Sequence, residues 1–346
     1  MSEKKFTSIG GQAVIEGVMM RSPHYLAIAV RKPDGRIVIK ETLWKGFADR
    51  FPFLKKPFLR GVVTLIESML NGVEALSWSA NVAVVNDPDG KPGKKEELST
   101  FAMFTSIFFA FAMGMLIFVA APHFLTALLG RAGLFTSGIN NPLFHLIDGF
   151  IKVVFLVTYI YAISLMKDIF RVFQYHGAEH KSIYAFESGE ELTVANARKW
   201  TTLHPRCGTS FLLFLLIISI LVFSVIFPVL SLTKFSDNVI VNHAMMVVVK
   251  IFLMLPVAGI SYEFIRASAC RMQNPIFKAL IFPGLLLQKL TTREPTDDQL
   301  EIALASLKRV LLLEKSPELL SSKEIEYGYL SEISPVAATV AEFPEA

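Results

Sequence analysis

The apolar positions of this chain fall into long, uninterrupted blocks. Four of them, 101–129, 144–168, 210–232 and 239–262, are long enough to cross a bilayer, which takes about 20 apolar residues per helix. The first and third contain no Lys, Arg, Asp or Glu. Two weaker blocks behave differently. Segment 58–85 carries Glu67, Asn71 and Glu74 on one helical face. It is flanked by Lys45, Arg50, Lys55 and Lys56 on one side and by Lys91, Lys94 and Lys95 on the other. A span would put these two positive flanks on opposite sides of the membrane, so an interfacial or re-entrant amphipathic helix fits better. Segment 276–290 is too short to span, contains Pro283-Gly284 and reads as a second membrane-surface helix.

Outside these blocks the periods change. Residues 25–43 hold two β-rich runs around Pro33-Asp34-Gly35, a hairpin signal. Thr296-Asp-Asp-Gln is a capping box, and Leu300, Ala303, Leu304, Leu307 and Leu311 follow at helical spacing. The pattern therefore predicts a mainly α membrane protein with four transmembrane helices, two interfacial or re-entrant helices and a small N-terminal β-hairpin region. Residues 1–57 form the cytoplasmic N-terminal part, 169–209 a cytoplasmic loop and 263–316 cytoplasmic interfacial and amphipathic helices. Residues 317–346 are a flexible acidic tail.

Composition agrees: 53% of the 346 residues are hydrophobic and 18% charged, against roughly 25% charged in an average soluble domain. A disordered chain is excluded. Two cysteines, Cys207 and Cys270, exclude a disulfide-stapled domain. A net charge of +4 argues for no nucleic-acid partner. The N-terminus, MSEKKFTSIGGQ, is polar and glycine-rich, unlike a cleavable signal peptide. The basic residues are sorted: 15 precede the first span, Arg131 alone follows it, five lie in 169–209, Lys234 alone in 233–238, and nine follow Glu263. By the positive-inside rule both termini are cytoplasmic in a multi-pass inner-membrane protein.

The candidate chemistry gathers in the 169–209 loop. Tyr175-His176-Gly177-Ala178-Glu179-His180 puts two imidazoles four residues apart on one helical face, on a continuation of the second span. With Glu179 this is the His-x-x-Glu-His order of inverted zinc hydrolases, in which the carboxylate acts as general base. A His pair beside a carboxylate also occurs on ordinary solvated helices. Further along, His204-Pro-Arg206-Cys207 is a His-x-x-Cys pair at the mouth of the third span. Cys207 alone reads as a small buried residue; its placement beside the first pair makes His176, His180, His204 and Cys207 a candidate set for a divalent metal, zinc by ligand type. Three ligands leave an open catalytic position, whereas four close a structural site. Glu16, in the glycine-rich run GGQAVIEGVMMR, is a further ligand or base if that run folds onto the loop; otherwise the run is a turn into a buried strand. Arg206 and Glu263 are close enough in the topology to line the site.

Charged residues also lie at membrane depth. Lys250 is near the middle of the fourth span. Asp148 and Lys152 are spaced i, i+4 in the second, and His123, His145 and His243 lie near the outer ends. They read as helix–helix glue, or alternatively as a relay.

The runs GGQAVIEGVMMR, YHGAEHKSIYAFE, HPRCGTSF and QKLTTREPTDDQLEIA together resemble the bacterial YqhQ-like membrane family, often labelled a predicted metal-dependent enzyme. The resemblance implies a polytopic inner-membrane protein whose marked residues match His176, Glu179, His180, His204 and Cys207. Three functions stand as expectations: a metal-dependent hydrolase with Glu179 as base, a scaffold with a structural metal, and a small-solute transporter using Lys250 and Asp148. The partners expected are the lipid bilayer and either a membrane protein or a second copy of the chain.

Overall fold

A computed structural model describes residues 9–83, 100–135, 141–229, 235–269, 271 and 274–333. The predicted hairpin is there: β3 (Tyr25–Arg31) and β4 (Ile37–Leu43) pair antiparallel, with Arg31 opposite Ile37. Gly35 closes the turn at φ +88°, a left-handed value that a side chain would resist. The hairpin is part of a larger sheet. The glycine-rich run folds as a second hairpin, β1 (Gly10–Val14) and β2 (Gly17–Arg21), and β2 pairs with β3.

The fifth strand corrects a sequence expectation. The segment after Pro317, expected to be flexible, returns to the sheet as β5 (Ile325–Tyr327) against β4, and Ile333 is buried. Residues 334–346 lie outside the described part.

Three layers result. On β3, Leu26, Ile28 and Val30 face one way, joining Val14, Met19 and Ala75 in one core. Ala27 and Ala29 face the other way, joining Val18, Met20, Ile37 and Ile39 in a second; this is the period-two alternation of a strand buried on both faces. The first core is closed by α1 (Leu59–Ala83). The second is closed by α4 (Lys167–Glu187) and α8 (Asp297–Lys315), through Tyr175, Ala178, Leu300, Leu304 and Leu307 among others. The capping box expected at Thr296 starts α8.

Helix α1 divides its polar residues between its two sides. Its Glu67 is buried, accepting the Phe47 N–H at 2.6 Å, instead of facing water; Glu74 is exposed and pairs with Lys40 at 2.9 Å. The open side carries Ile66, Met69, Leu70, Val73 and Leu76 as an apolar stripe beside Glu74.

Among the described residues, four helices are long and apolar enough to cross a membrane. They are α2 (residues 100–131, with a π-helical turn at Leu116–Ala120), α3 (Pro142–Ser164), α5 (Gly208–Val229) and α6 (Val239–Ala269). Helix α6 runs past its expected end at residue 262. The segment expected at 276–290 is a helix, α7 (Pro275–Thr291), continuous through Pro283 and packed against α3, α5 and α6. Helix α4 does not continue the second span; the chain breaks at Leu165–Met166 and starts afresh at Lys167.

Candidate metal centre

Helix α4 presents His176, Glu179 and His180 on the side facing the N-terminal end of α5. Their spacing follows from 3.6 residues per turn, and the two rings lie 4.5 Å apart between centroids. Cys207 immediately precedes α5, and its sulfur accepts the Thr209 N–H at 3.4 Å. A thiol at a helix N-terminus is placed to ionise. Ligand atoms of His176, His180 and Cys207 all fall within 4.8 Å of one another.

Each histidine is oriented by a backbone carbonyl. His176 Nδ1 lies 2.8 Å from Thr291 O, at the end of α7, and His180 Nδ1 lies 2.5 Å from Thr202 O. Carbonyls only accept, so both Nδ1 atoms carry a proton, and each Nε2 offers a lone pair when its ring is neutral. His176 Nε2 is 3.1 Å from Cys207 Sγ. This carbonyl–imidazole arrangement is how metal-ligating histidines are held.

The electrostatics are those of a charged pair. Burial pushes the Cys207 thiol up, but His176 and His180 outweigh it and hold it well below the usual thiol range. Burial lowers His176, yet Cys207 and Glu179 raise it to about 9. Glu179 is raised by burial, against the pull of both histidines. It packs on β1, where a Cβ on Gly11 would come within 2.9 Å of Glu179 Cγ, so only glycine leaves the carboxylate its place. The glycine-rich run thus touches the site through Gly11.

The other expected residues are placed differently. The His204 ring lies tilted against His180, 5.5 Å between centroids; its Nδ1 accepts the Arg206 N–H at 3.3 Å and its Nε2 lies 3.7 Å from Glu187. His204 is not among the residues whose ligand atoms lie within 4.8 Å of one another, and burial lowers it to about 4. Arg206 holds Glu187 in an ion pair. Glu16 does reach α4, but as a bidentate partner of Arg171 that also accepts from Tyr175. Glu263 is bound by Arg60, where α6 meets α1. Neither Glu16 nor Glu263 lies with the His/Cys group.

Sequence reading missed Gln288. Its amide brackets His204, accepting the N–H and donating to the carbonyl, both at 2.7 Å, and also donates to Ser210. This ties the Cys207 turn to α7, which supplies the Thr291 carbonyl. Only the predicted helix around it offered a signal. Gln288→Ala removes three buried hydrogen bonds at roughly 0.5–1.5 kcal/mol each. It should lower stability by about 2–4 kcal/mol in denaturant titrations.

The family described as "Protein of unknown function (DUF1385)" matches residues 56–313, which include every residue of the cluster. The chain belongs to this family. A relative from Bacillus subtilis (strain 168), "Uncharacterized protein YqhQ", is 34% identical over 317 residues, covering 89% of this chain and 94% of the relative. No solved structure matches the chain. Within this DUF1385 member the cluster sits where α4, the Cys207 turn and the end of α7 meet.

Proposed function

We propose that His176, His180 and Cys207 hold a divalent cation, zinc by ligand type, on the cytoplasmic side of a four-span inner-membrane protein. We further propose that Glu179 is the general base of a hydrolysis carried out beside the membrane. The observation that carries this reading is the pair of Nδ1–carbonyl bonds, which leave the Nε2 atom of each ring to share one cluster with a sulfur, where a cation would take the place of the proton. Two histidines and a thiolate are a zinc donor set, and three protein ligands leave a fourth position for water or substrate. A bound ion would supply Lewis acidity there. Glu179, raised by burial and held beside both histidines, would take the proton. The distribution of basic residues supports the orientation. The substrate would be a peptide or a lipid head group at the membrane surface.

A second reading, a scaffold with a structural ion, draws support from the open apolar stripe of α1. Glu179→Gln separates the two. Under the hydrolase reading it keeps its zinc but loses about 100-fold or more of the turnover of a fluorogenic peptide or of phosphatidylglycerol vesicles, the contribution of a positioned base. Zinc-loaded wild type that cleaves neither probe would leave the scaffold reading. Sub-stoichiometric metal, unchanged in His176→Ala and Cys207→Ser, would remove the metal site altogether.

A further inference from the structure

The apolar bundle buries a second group of ionisable side chains, separate from the metal centre. Lys250 on α6 and Lys152 on α3 both donate to the same oxygen of Asp148, at 2.5 and 2.9 Å. The other Asp148 oxygen has no partner among the described residues. Lys250 Nζ is also 3.1 Å from His123 Nδ1 on α2, and His123 Nε2 is 2.9 Å from His243 Nδ1 on α6. Four side chains from three helices thus form one hydrogen-bonded line: Asp148, Lys250, His123, His243. Lys250 and His123 are fully buried, and His243 reaches 6% exposure one turn from the start of α6.

Charge counting makes the line unusual. Two ammonium groups on one carboxylate leave a net positive charge in an apolar bundle, where an unpaired charge costs at least about 2.5 kcal/mol. If one lysine is an amine, the cluster is neutral; one added proton brings it to a single positive charge. The surroundings tolerate that charge, because the rings of Phe144, Phe223 and Phe227 each lie 5.8 Å from Lys250 Nζ.

Access is one-sided. Toward the metal centre, Leu156, Ile160, Leu213 and Leu287 pack into an apolar plug. No Asp, Glu, Lys, Arg or His lies between Lys152 and Lys167 on the α3 side, between Lys250 and Glu263 on α6, or anywhere on α5. The ionisable groups facing the cluster are His123 and Arg131 on α2, His145, Asp148 and Lys152 on α3, and His243 and Lys250 on α6.

We propose that this cluster is a proton-binding site, loaded through His243 and His123 from the end of the bundle opposite the metal centre. A proton arriving on His243 Nε2 lets its Nδ1 proton pass to His123 Nε2. His123 releases its Nδ1 proton to the Lys250 amine, which becomes an ammonium ion bonded to Asp148. Both imidazoles end neutral, in the other tautomer, and one proton has moved inward. The inference does not rest on the metal centre.

The test is nitrogen-15 NMR of lysine-labelled full-length chain in lipid nanodiscs, between about pH 5 and 10, a range that brackets ordinary His and approaches Lys titration. The Lys250 resonance is the one lost in Lys250→Met. It should change from amine to ammonium as the pH falls. In His123→Phe and His243→Phe its proton exchange should slow by about 100-fold or more, the lower range for removing a positioned transfer group. If His123→Phe does not fold, His243→Phe decides alone, since it sits at the end of the line. A Lys250 that stays ammonium throughout, or an exchange rate unchanged in the variants, would overturn the proposal and leave a fixed structural ion pair.

Discussion

Gly177→Ala should dismantle the proposed metal centre without touching a proposed ligand. A Cβ at this position would stand 2.1 Å from the Arg293 carbonyl oxygen and 3.1 Å from Thr202 Cγ2. The first of these is backbone, pinned to α4 by the 2.9 Å bond from Arg293 N–H to Phe173 O. Relief requires moving the segment that follows Thr291, whose carbonyl orients His176. Overpacking costs about 1–3 kcal/mol, and a fixed backbone contact lies at the top of that range. Alanine's better helix propensity recovers about 1 kcal/mol. The net expectation is a loss of about 2 kcal/mol or more in denaturant midpoint measurements, together with loss of bound metal. Wild-type stability and metal content in the variant would contradict this packing.

Cys207→Ser should do the reverse, emptying the site while sparing the fold. Serine keeps a hydroxyl for the Thr209 N–H and nearly the same volume, so the turn into α5 survives. What goes is the thiolate. Altering a residue that merely supports a ligand costs 10–100-fold in metal affinity, so losing a ligand should cost more than about 100-fold in zinc competition titrations. His204→Ala is the informative contrast. Its Nδ1 accepts from Arg206 and its Nε2 lies 3.7 Å from Glu187, so affinity should fall only within the roughly 10–100-fold of a supporting residue. Equal losses in the two variants would mean that His204 is a fourth ligand.

Much of this arrangement was legible in the sequence because its signals are local. Uncharged apolar blocks mark the four long helices, Pro33-Asp34-Gly35 marks the hairpin, and the i, i+4 spacing of His176 and His180 fixes their common face. Cys207 could be joined to them because both pairs lie in the one polar segment, 169–209, between neighbouring spans. Non-local pairing was not legible. Strand β5 joins β4 across nearly the whole chain, and three residues of mixed polarity carry no strand signal. The place of His204 depends on the turn that brings its Nε2 to 3.7 Å from Glu187, and the carbonyls of Thr202 and Thr291 belong to backbone that any residue would supply. The polar face of α1 misled for a related reason. Charges on a helix read as solvated until a neighbouring loop, here Phe47, takes one as a hydrogen-bond acceptor.

The central claim is that two imidazole nitrogens and one sulfur share an ion. X-ray absorption at the zinc edge on the zinc-loaded, full-length chain measures this directly. The expected spectrum contains one sulfur neighbour at about 2.3 Å and two imidazoles at about 2.0 Å, with the sulfur contribution missing in any metal retained by Cys207→Ser. A zinc spectrum with only oxygen and nitrogen neighbours in the wild-type chain would contradict it.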